Sequence, residues 1–347
     1  MIPGALITEL RAIGHVRERE PLARHTTVGI GGPADLYVKV ETVDALVRVL
    51  DTAQRHDIPW FILGAGSNLL VGDGGIRGVV IEYDAKAIHG PEMQPDGRAR
   101  FTIEAGASFA NVARRLTRRG YAGLEWAVGI PGTLGGAVVT NAGAYGGSLA
   151  DVLVSVHIIE PGGSLRPVVS EANPSTTSGA PRELPAGGFQ LAYRESIFTR
   201  GLVTNVAVAA VTLDLTPDDP AAVLARIAAL EADRKAAQPT GQNTGSVFKN
   251  PSGRSAWQLI DAAGLRGFRV GGAQITHKHC NFFANTGGAR AADFKALIDL
   301  AQHHVRDRFG VELETEVWLV GEGFGEESAA PSPDPSPAGA GEGSLSS

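Results

Sequence analysis

Between Gly123 and Gly147 the chain reads GLEWAVGIPGTLGGAVVTNAGAYGG, eight glycines in 25 residues with Glu125 as the one charged side chain. A flexible linker this rich in glycine would carry Ser, Lys or Glu, but here the gaps hold Trp126, Ile130, Leu134 and Val138. Apolar spacers call for burial, while repeated glycines allow positive φ and close approach of backbone to a partner. The stretch therefore predicts a buried, tightly wrapped backbone set against a large flat or phosphorylated ligand. Tight turns packed on one another with no ligand are the plain alternative.

Composition narrows the partners. The 347 residues suffice for two or three domains, and 43% hydrophobic against 20% charged residues is an ordinary globular balance. A net charge of −6 with no basic block argues against a nucleic-acid surface, so any phosphate recognition has to be local. The single Cys280 precludes an internal disulfide and fits a reducing compartment. The residues before Arg11 lack a signal-peptide core, and no run approaches the ~18 apolar residues of a membrane span. Together these predict a cytoplasmic protein with neither nucleic-acid nor membrane partners. No zinc-type histidine motif or cysteine cluster is present, so no metal site is expected, and no G-x-S-x-G nucleophile elbow occurs.

In chain order, residues 1–24 read as a short helix and a charged stretch, followed by turns and a strand at 36–40. Thr42 can cap a helix over 43–56, and a strand at 59–63 runs directly into Gly64-Ala65-Gly66-Ser67-Asn68. A dinucleotide fingerprint would need glycine where Leu69 stands and a helix after it, whereas strand-like residues follow. The Gly29-Ile30-Gly31 passage precedes a strand instead of following one. A Rossmann site is rejected for both, and two loops suited to a pyrophosphate remain.

Further on, a strand is expected at 101–105, a helix capped by Ser108 over 109–119, and a strand at 152–159. Residues 170–188 read as a polar surface excursion, and 203–213 as a strand. Helices follow over 217–237, 254–263 and 290–309, with a strand pair through Ile275 and 282–284. The segment 311–320 alternates and sets Glu312, Glu314 and Glu316 on one face, a pattern that by itself reads as solvent-exposed. The last 22 residues hold Pro, Ser, Gly and acid without Lys or Arg, the composition of a disordered tail.

Five motifs occur in order: Gly64 to Asn68, Gly129-Ile-Pro-Gly-Thr-Leu-Gly-Gly136, Asn141-Ala-Gly-Ala-Tyr-Gly146, Tyr193-Arg-Glu-Ser196 and Gly245-Ser-Val-Phe-Lys-Asn-Pro251. Each is weak alone. The ordered set resembles the UDP-N-acetylenolpyruvoylglucosamine reductase (UDP-N-acetylmuramate dehydrogenase) family, over about Thr26 to Gly321. With only 52 positions between Arg194 and Ser246, it resembles the shorter subtype lacking a loop with an extra substrate-binding Tyr.

The resemblance implies an α+β fold. An FAD-binding domain of the vanillyl-alcohol-oxidase (PCMH) type would be made of two α+β subdomains, 1–75 and 76–216. A C-terminal α+β substrate-binding domain would span 217–323, ahead of the tail at 324–347. The cofactors implied are bound FAD and NADPH as co-substrate, with a UDP-sugar enolpyruvate as the other small-molecule substrate and a monomeric protein. The reaction would take hydride from N5 of the reduced flavin to the enolpyruvyl methylene, in peptidoglycan precursor synthesis.

For the flavin the resemblance implies Gly29, Gly31, Gly64, Ala65, Gly66, Ser67, Asn68 and Leu69. It adds Ile130, Pro131, Gly132, Thr133, Gly135, Gly136, Asn141, Ala142 and Gly143. Arg194 is given the developing carboxylate charge, Ser246 the proton donation, and Glu316 the stabilisation of the enol. Tyr193, Arg234, Lys249, Asn250 and His279 are given to the substrate, Arg234 standing where longer members have Lys and His279 where they have Gln. Two rivals remain: another FAD oxidoreductase of the same superfamily, which has no reason to keep Arg194, Ser246 and Glu316 together, and a UDP-sugar-binding protein without catalysis.

Overall fold

A computed structural model describes residues 2–160, 182–201 and 205–325. The first sheet is built from β1 (His15–Pro21), β2 (Pro33–Val40), β3 (Trp60–Leu63) and β5 (Ile76–Tyr83), ordered β1-β2-β5-β3. β4 (Leu69–Val71) stands outside this sheet. The charged stretch near the N-terminus is thus strand β1, paired antiparallel to β2, while β2 and β3 lie parallel to β5. Alternation decides the two faces. Leu36, Val38 and Val40 of β2 and Val79, Ile81 and Tyr83 of β5 join α1 (Gly4–Arg11) and α2 (Val43–Arg55) in one core. Tyr37 and Val80 point to a smaller core with Leu63 and Val71, which Ala34 joins across the irregularity between Ala34 and Leu36. Thr42 caps α2 as expected, its side chain accepting from Ala45 N–H at 3.1 Å. β5 lies inside this sheet between β2 and β3 and ends at Tyr83, so the sheet spans the boundary expected at 75/76.

The second sheet uses β6 (Ile88–Met93), β7 (Ala99–Glu104), β11 (Leu153–Ile159), β12 (Arg182–Pro185) and β13 (Ala207–Pro217), in the order β12-β11-β13-β7-β6. β8 (Tyr121–Ala122) adds to β13, and β9 (Gly143–Ala144) pairs with β10 (Gly147–Ser148). Part of the expected excursion at 170–188 lies outside the described residues, and the part described forms β12 on the sheet edge. The strand expected from 203 begins at Ala207, with residues 202–204 outside the described set. α3 (Phe109–Thr117) forms without the side-chain cap expected from Ser108. The glycine-rich stretch contains a short helix, α4 (Leu134–Val139), capped by Thr133.

α5 (Pro220–Ala237) starts at Pro220, with Asp219 as its cap. A third sheet, β14-β17-β16-β15, comprises β14 (Asn243–Ser246), β15 (Arg269–Val270), β16 (Ala273–Ile275) and β17 (Phe282–Asn285). It packs with α6 (Ala256–Ala262) and α7 (Ala291–Phe309) around Phe248, Phe283, Phe294 and Leu297. Gly310 ends α7 at φ 64°, a left-handed position glycine occupies without strain. The segment 311–317 is not regular strand, with Thr315 making an isolated antiparallel bridge to Phe248, and β18 (Trp318–Val320) pairs parallel to β4. Asp73 beside β4 accepts from Ala291 and Ala292 N–H at the start of α7, tying the two parts further. The tail beyond residue 325 lies outside the described residues.

Candidate active site

The four glycine-bearing motifs meet around one cavity of about 1090 Å³. Gly64 through Leu69 line it, as do Ile130 through Thr133, Gly135, Gly136, Ala142 and Gly143. The two main loops press on each other. A methyl at Gly64 would lie 2.7 Å from Thr133 Oγ1, and Ser67 Oγ donates to Pro131 O at 3.3 Å. A larger residue at 64 would have to displace the Thr133 side chain that caps α4, so glycine lets the two loops close on each other. The apolar strands behind supply Trp60, Leu63, Tyr83, Ala105, Ala207 and Val208. The volume slightly exceeds the ~300–1,000 Å³ usual for small-molecule pockets, as a dinucleotide with a flat ring system needs. The glycine-walled cleft with apolar backing fits FAD.

Arg194, Ser246 and Glu316 line this same cavity although they come from three separate stretches of chain. Arg194 stands in a tight turn closed by the Ala192–Glu195 bridge, at φ 55°. Asn141 supports the turn by donating from Nδ2 to Ala192 O at 2.7 Å. Ser246 ends β14, opposite Phe282, just after Gly245 at φ 69°. Glu316 is carried by the irregular segment before β18, and its N–H donates to Val247 O at 2.7 Å, one residue past Ser246.

Arg194 Nε lies 2.7 Å from Glu316 Oε1, and both side chains are largely buried. The exposed face expected for the three glutamates does not exist, because the strand that would have made it forms only from Trp318. Glu312 and Glu314 keep 71% and 69% side-chain exposure while Glu316 keeps 17%. Burial pushes the Glu316 carboxyl above its ordinary value of 4.5, against the opposing pull of Arg194 and Lys249. A folded-state value above the unfolded one means the native state holds the proton more tightly. Stability is then lost as pH rises from about 4.5 through the raised value. Glu316→Gln removes this titration. The wild type is expected to lose stability relative to Glu316→Gln across that window in urea titrations of the apoprotein, and a pH-independent difference would contradict the burial argument.

The remaining expected residues divide. Arg234 lines the cavity and crosses Gly129 so closely that a methyl there would lie 2.5 Å from its Cδ. Lys249 lines a second, polar cavity of about 510 Å³ that shares Asn68, Arg194 and Glu316 with the first, and it pairs with Glu314. Tyr193 is 57% exposed with the Arg194 guanidinium over its ring at 5.7 Å. Asn250, His279, Gly29, Gly31 and Asn141 line neither cavity. Asn250 Oδ1 accepts from Ala256 N–H, and the His279 ring packs against Trp257 and Phe282. Gly29 lies against Gln242, and Gly31 against Leu22, Ala23 and Val71. Sequence reasoning missed Trp60, Tyr83, Phe198, Phe282, Trp318 and Lys235 on the wall. Most of these are large apolar residues, indistinguishable from core by pattern alone. Among the described residues no group of His, Cys, Asp and Glu could hold a metal ion, and no helix is long and apolar enough to cross a membrane.

Residues 34–168 match the sequence family described as an FAD binding domain, and residues 237–320 match the C-terminal domain of UDP-N-acetylenolpyruvoylglucosamine reductase. The reductase of Chloroflexus aggregans is 43% identical over 88% of this chain and 97% of its own. This chain belongs to the UDP-N-acetylenolpyruvoylglucosamine reductase family. The Bacillus subtilis reductase is 37% identical over 90% of this chain and 96% of its own. Among solved structures, the reductase (MurB) from Thermus caldophilus matches with a TM-score of 0.68 at 32% identity, covering 88% of this chain and 99% of that one. The expected α+β class stands, with an FAD-binding domain ahead of the reductase C-terminal domain. As a UDP-N-acetylenolpyruvoylglucosamine reductase, the protein is an FAD oxidoreductase of peptidoglycan precursor synthesis with NADPH as co-substrate.

Proposed function

We propose that Arg194, Ser246 and Glu316 carry the protein's part in reducing UDP-N-acetylglucosamine enolpyruvate to UDP-N-acetylmuramate. FAD, when bound, supplies the hydride chemistry. Hydride addition to the enolpyruvyl methylene leaves negative charge on the enol carboxylate, and a proton must reach the neighbouring carbon. Arg194 holds a fixed positive charge and a planar donor fork against that carboxylate. Ser246 donates the proton from a loop end that a backbone bond keeps in register with Glu316. Glu316 stabilises the enol and helps return a proton to Ser246. The observation that carries this reading is the convergence of the three on one cavity, with Arg194 and Glu316 in contact at 2.7 Å.

Arg234 and Lys249 are our choice for the charged groups of the UDP-sugar and NADPH, supported by their positions on the two joined cavities. Tyr193, exposed and beside Arg194 but lining neither cavity, is kept as a substrate contact. Asn250 and His279 are kept only as groups acting from behind the wall. The loops at 64–69, 130–136 and 142–143 are assigned to FAD, with Gly29, Gly31 and Asn141 supporting them. We place the domain divisions after Tyr83 and near Pro217, following the sheets. We infer a monomer, and a cytoplasmic location supported by the lone buried Cys280.

The test is anaerobic: NADPH is mixed with the purified protein, then the enolpyruvyl UDP-sugar is added while flavin absorbance is followed. Bleaching, then recovery on adding the sugar, is expected. Recovery with oxygen but never with the sugar would favour the oxidase reading.

A further inference from the structure

The backbone at Glu316 is held from two sides, and one of the holders is a side chain. Its N–H goes to Val247 O, while its carbonyl accepts from Asn68 Nδ2 at 2.9 Å. The Asn68 carbonyl in turn accepts from Trp318 N–H at 3.0 Å, and the parallel ladder begins there with Leu69 opposite Trp318. Glu316 lies just outside that ladder, in the irregular 311–317 segment, so the asparagine amide takes the place of a missing rung. Asn68 also ends the Gly64–Asn68 loop on the wall of the main cavity.

We propose that Asn68 is a positioning residue for Glu316: its amide fixes the Glu316 peptide, and so holds the carboxyl against Arg194. This rests on the role given above to Glu316. The side chain expected to serve the flavin also gives one of its two amide N–H donors to the residue bearing the carboxyl. The charged groups facing that carboxyl are Arg194 and Lys249. If the peptide turns, the ion pair at 2.7 Å lengthens and its downward pull on the Glu316 proton affinity fades. The rungs at Leu69, Leu70 and Val71 and the bond to Val247 do not involve the amide, so its loss acts locally.

The test uses the FAD-loaded enzyme with Asn68→Leu, an isostere without donors, and Asn68→Asp, which keeps the shape and inverts the polarity. Reduction by NADPH and reoxidation by the enolpyruvyl UDP-sugar are followed separately. Reoxidation is expected to fall about 10–100-fold, the size of effect that small misplacement of a catalytic group produces. That loss should exceed any loss in reduction by about tenfold, appear in kcat more than in KM, and move the pH profile of reoxidation. FAD affinity, read by quenching of flavin fluorescence on the apoprotein, should change by a smaller factor. In a Glu316→Gln background, Asn68→Leu should add little, because its route to the chemistry is already gone.

Equal losses in both half-reactions and in FAD affinity would overturn the proposal and return Asn68 to the flavin. So would an Asn68→Leu effect that persists undiminished beside Glu316→Gln. Wild-type reoxidation by Glu316→Gln alone would instead remove the Glu316 role, and this proposal with it. An impaired Glu316→Gln beside a fully active Asn68→Leu would sink the positioning role alone.

Discussion

Ser246→Ala is expected to slow reoxidation of the reduced enzyme by the enolpyruvyl UDP-sugar by about 10²–10⁴-fold, the usual contribution of a positioned proton donor. NADPH should still bleach the flavin. The loop geometry makes the substitution clean. Gly245 takes the left-handed turn, Asn243 Oδ1 accepts from Gly245 N–H, and Ser246 is set opposite Phe282 by the β14–β17 pairing. None of these depends on the hydroxyl, so the alanine variant should keep its fold and lose only a proton source. Stopped-flow absorbance of the two half-reactions checks it. Reoxidation at the wild-type rate would assign the proton to another group.

Arg194→Lys keeps the charge yet is expected to cost about 10²–10³ in reoxidation, the range seen when one preorganised charge-stabilising donor is lost. An ammonium cannot offer the planar fork of a guanidinium. The Arg194 turn is held by the Ala192–Glu195 bridge and by Asn141, neither of which involves the guanidinium. The loss should therefore be chemical rather than conformational, with melting temperature and FAD content close to wild type. A lysine variant that works as well as the arginine would mean that charge alone suffices. A collapse of FAD content would mean that Arg194 holds the cofactor site together.

Much of the site could be read in the chain because its parts are backbone loops. Gly64 and Gly132 face side chains of the opposite loop, Gly66 faces the backbone of His25 and Thr26, and Gly135 faces Ala105, so the sequence records where the backbone is crowded. Helices with one apolar stripe and a cap, such as α2 with Thr42, are legible for the same reason. What could not be read is what depends on partners far along the chain. The alternation at 311–317 looked like an exposed strand, but those residues meet Phe248 and Val247 and bend Glu316 inward before pairing begins. Strand β1 is charged on both faces from Arg17 to Glu20, and it belongs to a sheet because β2 offers it an edge. Asn68 read as part of a phosphate loop, since nothing in the sequence shows that its amide reaches residue 316.

The parallel pairing of β4 with β18 has a consequence for how the protein comes into being. Leu69 is made well before Trp318, its partner 249 positions later in the chain. Closing so long a loop costs entropy that only the finished contacts repay, and such distant pairings slow folding. During synthesis the cofactor loop at 64–68 therefore has no fixed far wall, and a nascent chain cannot become an enzyme piecemeal. Completion of the last strand is the moment at which the loop, the glutamate and the serine first share one rigid frame.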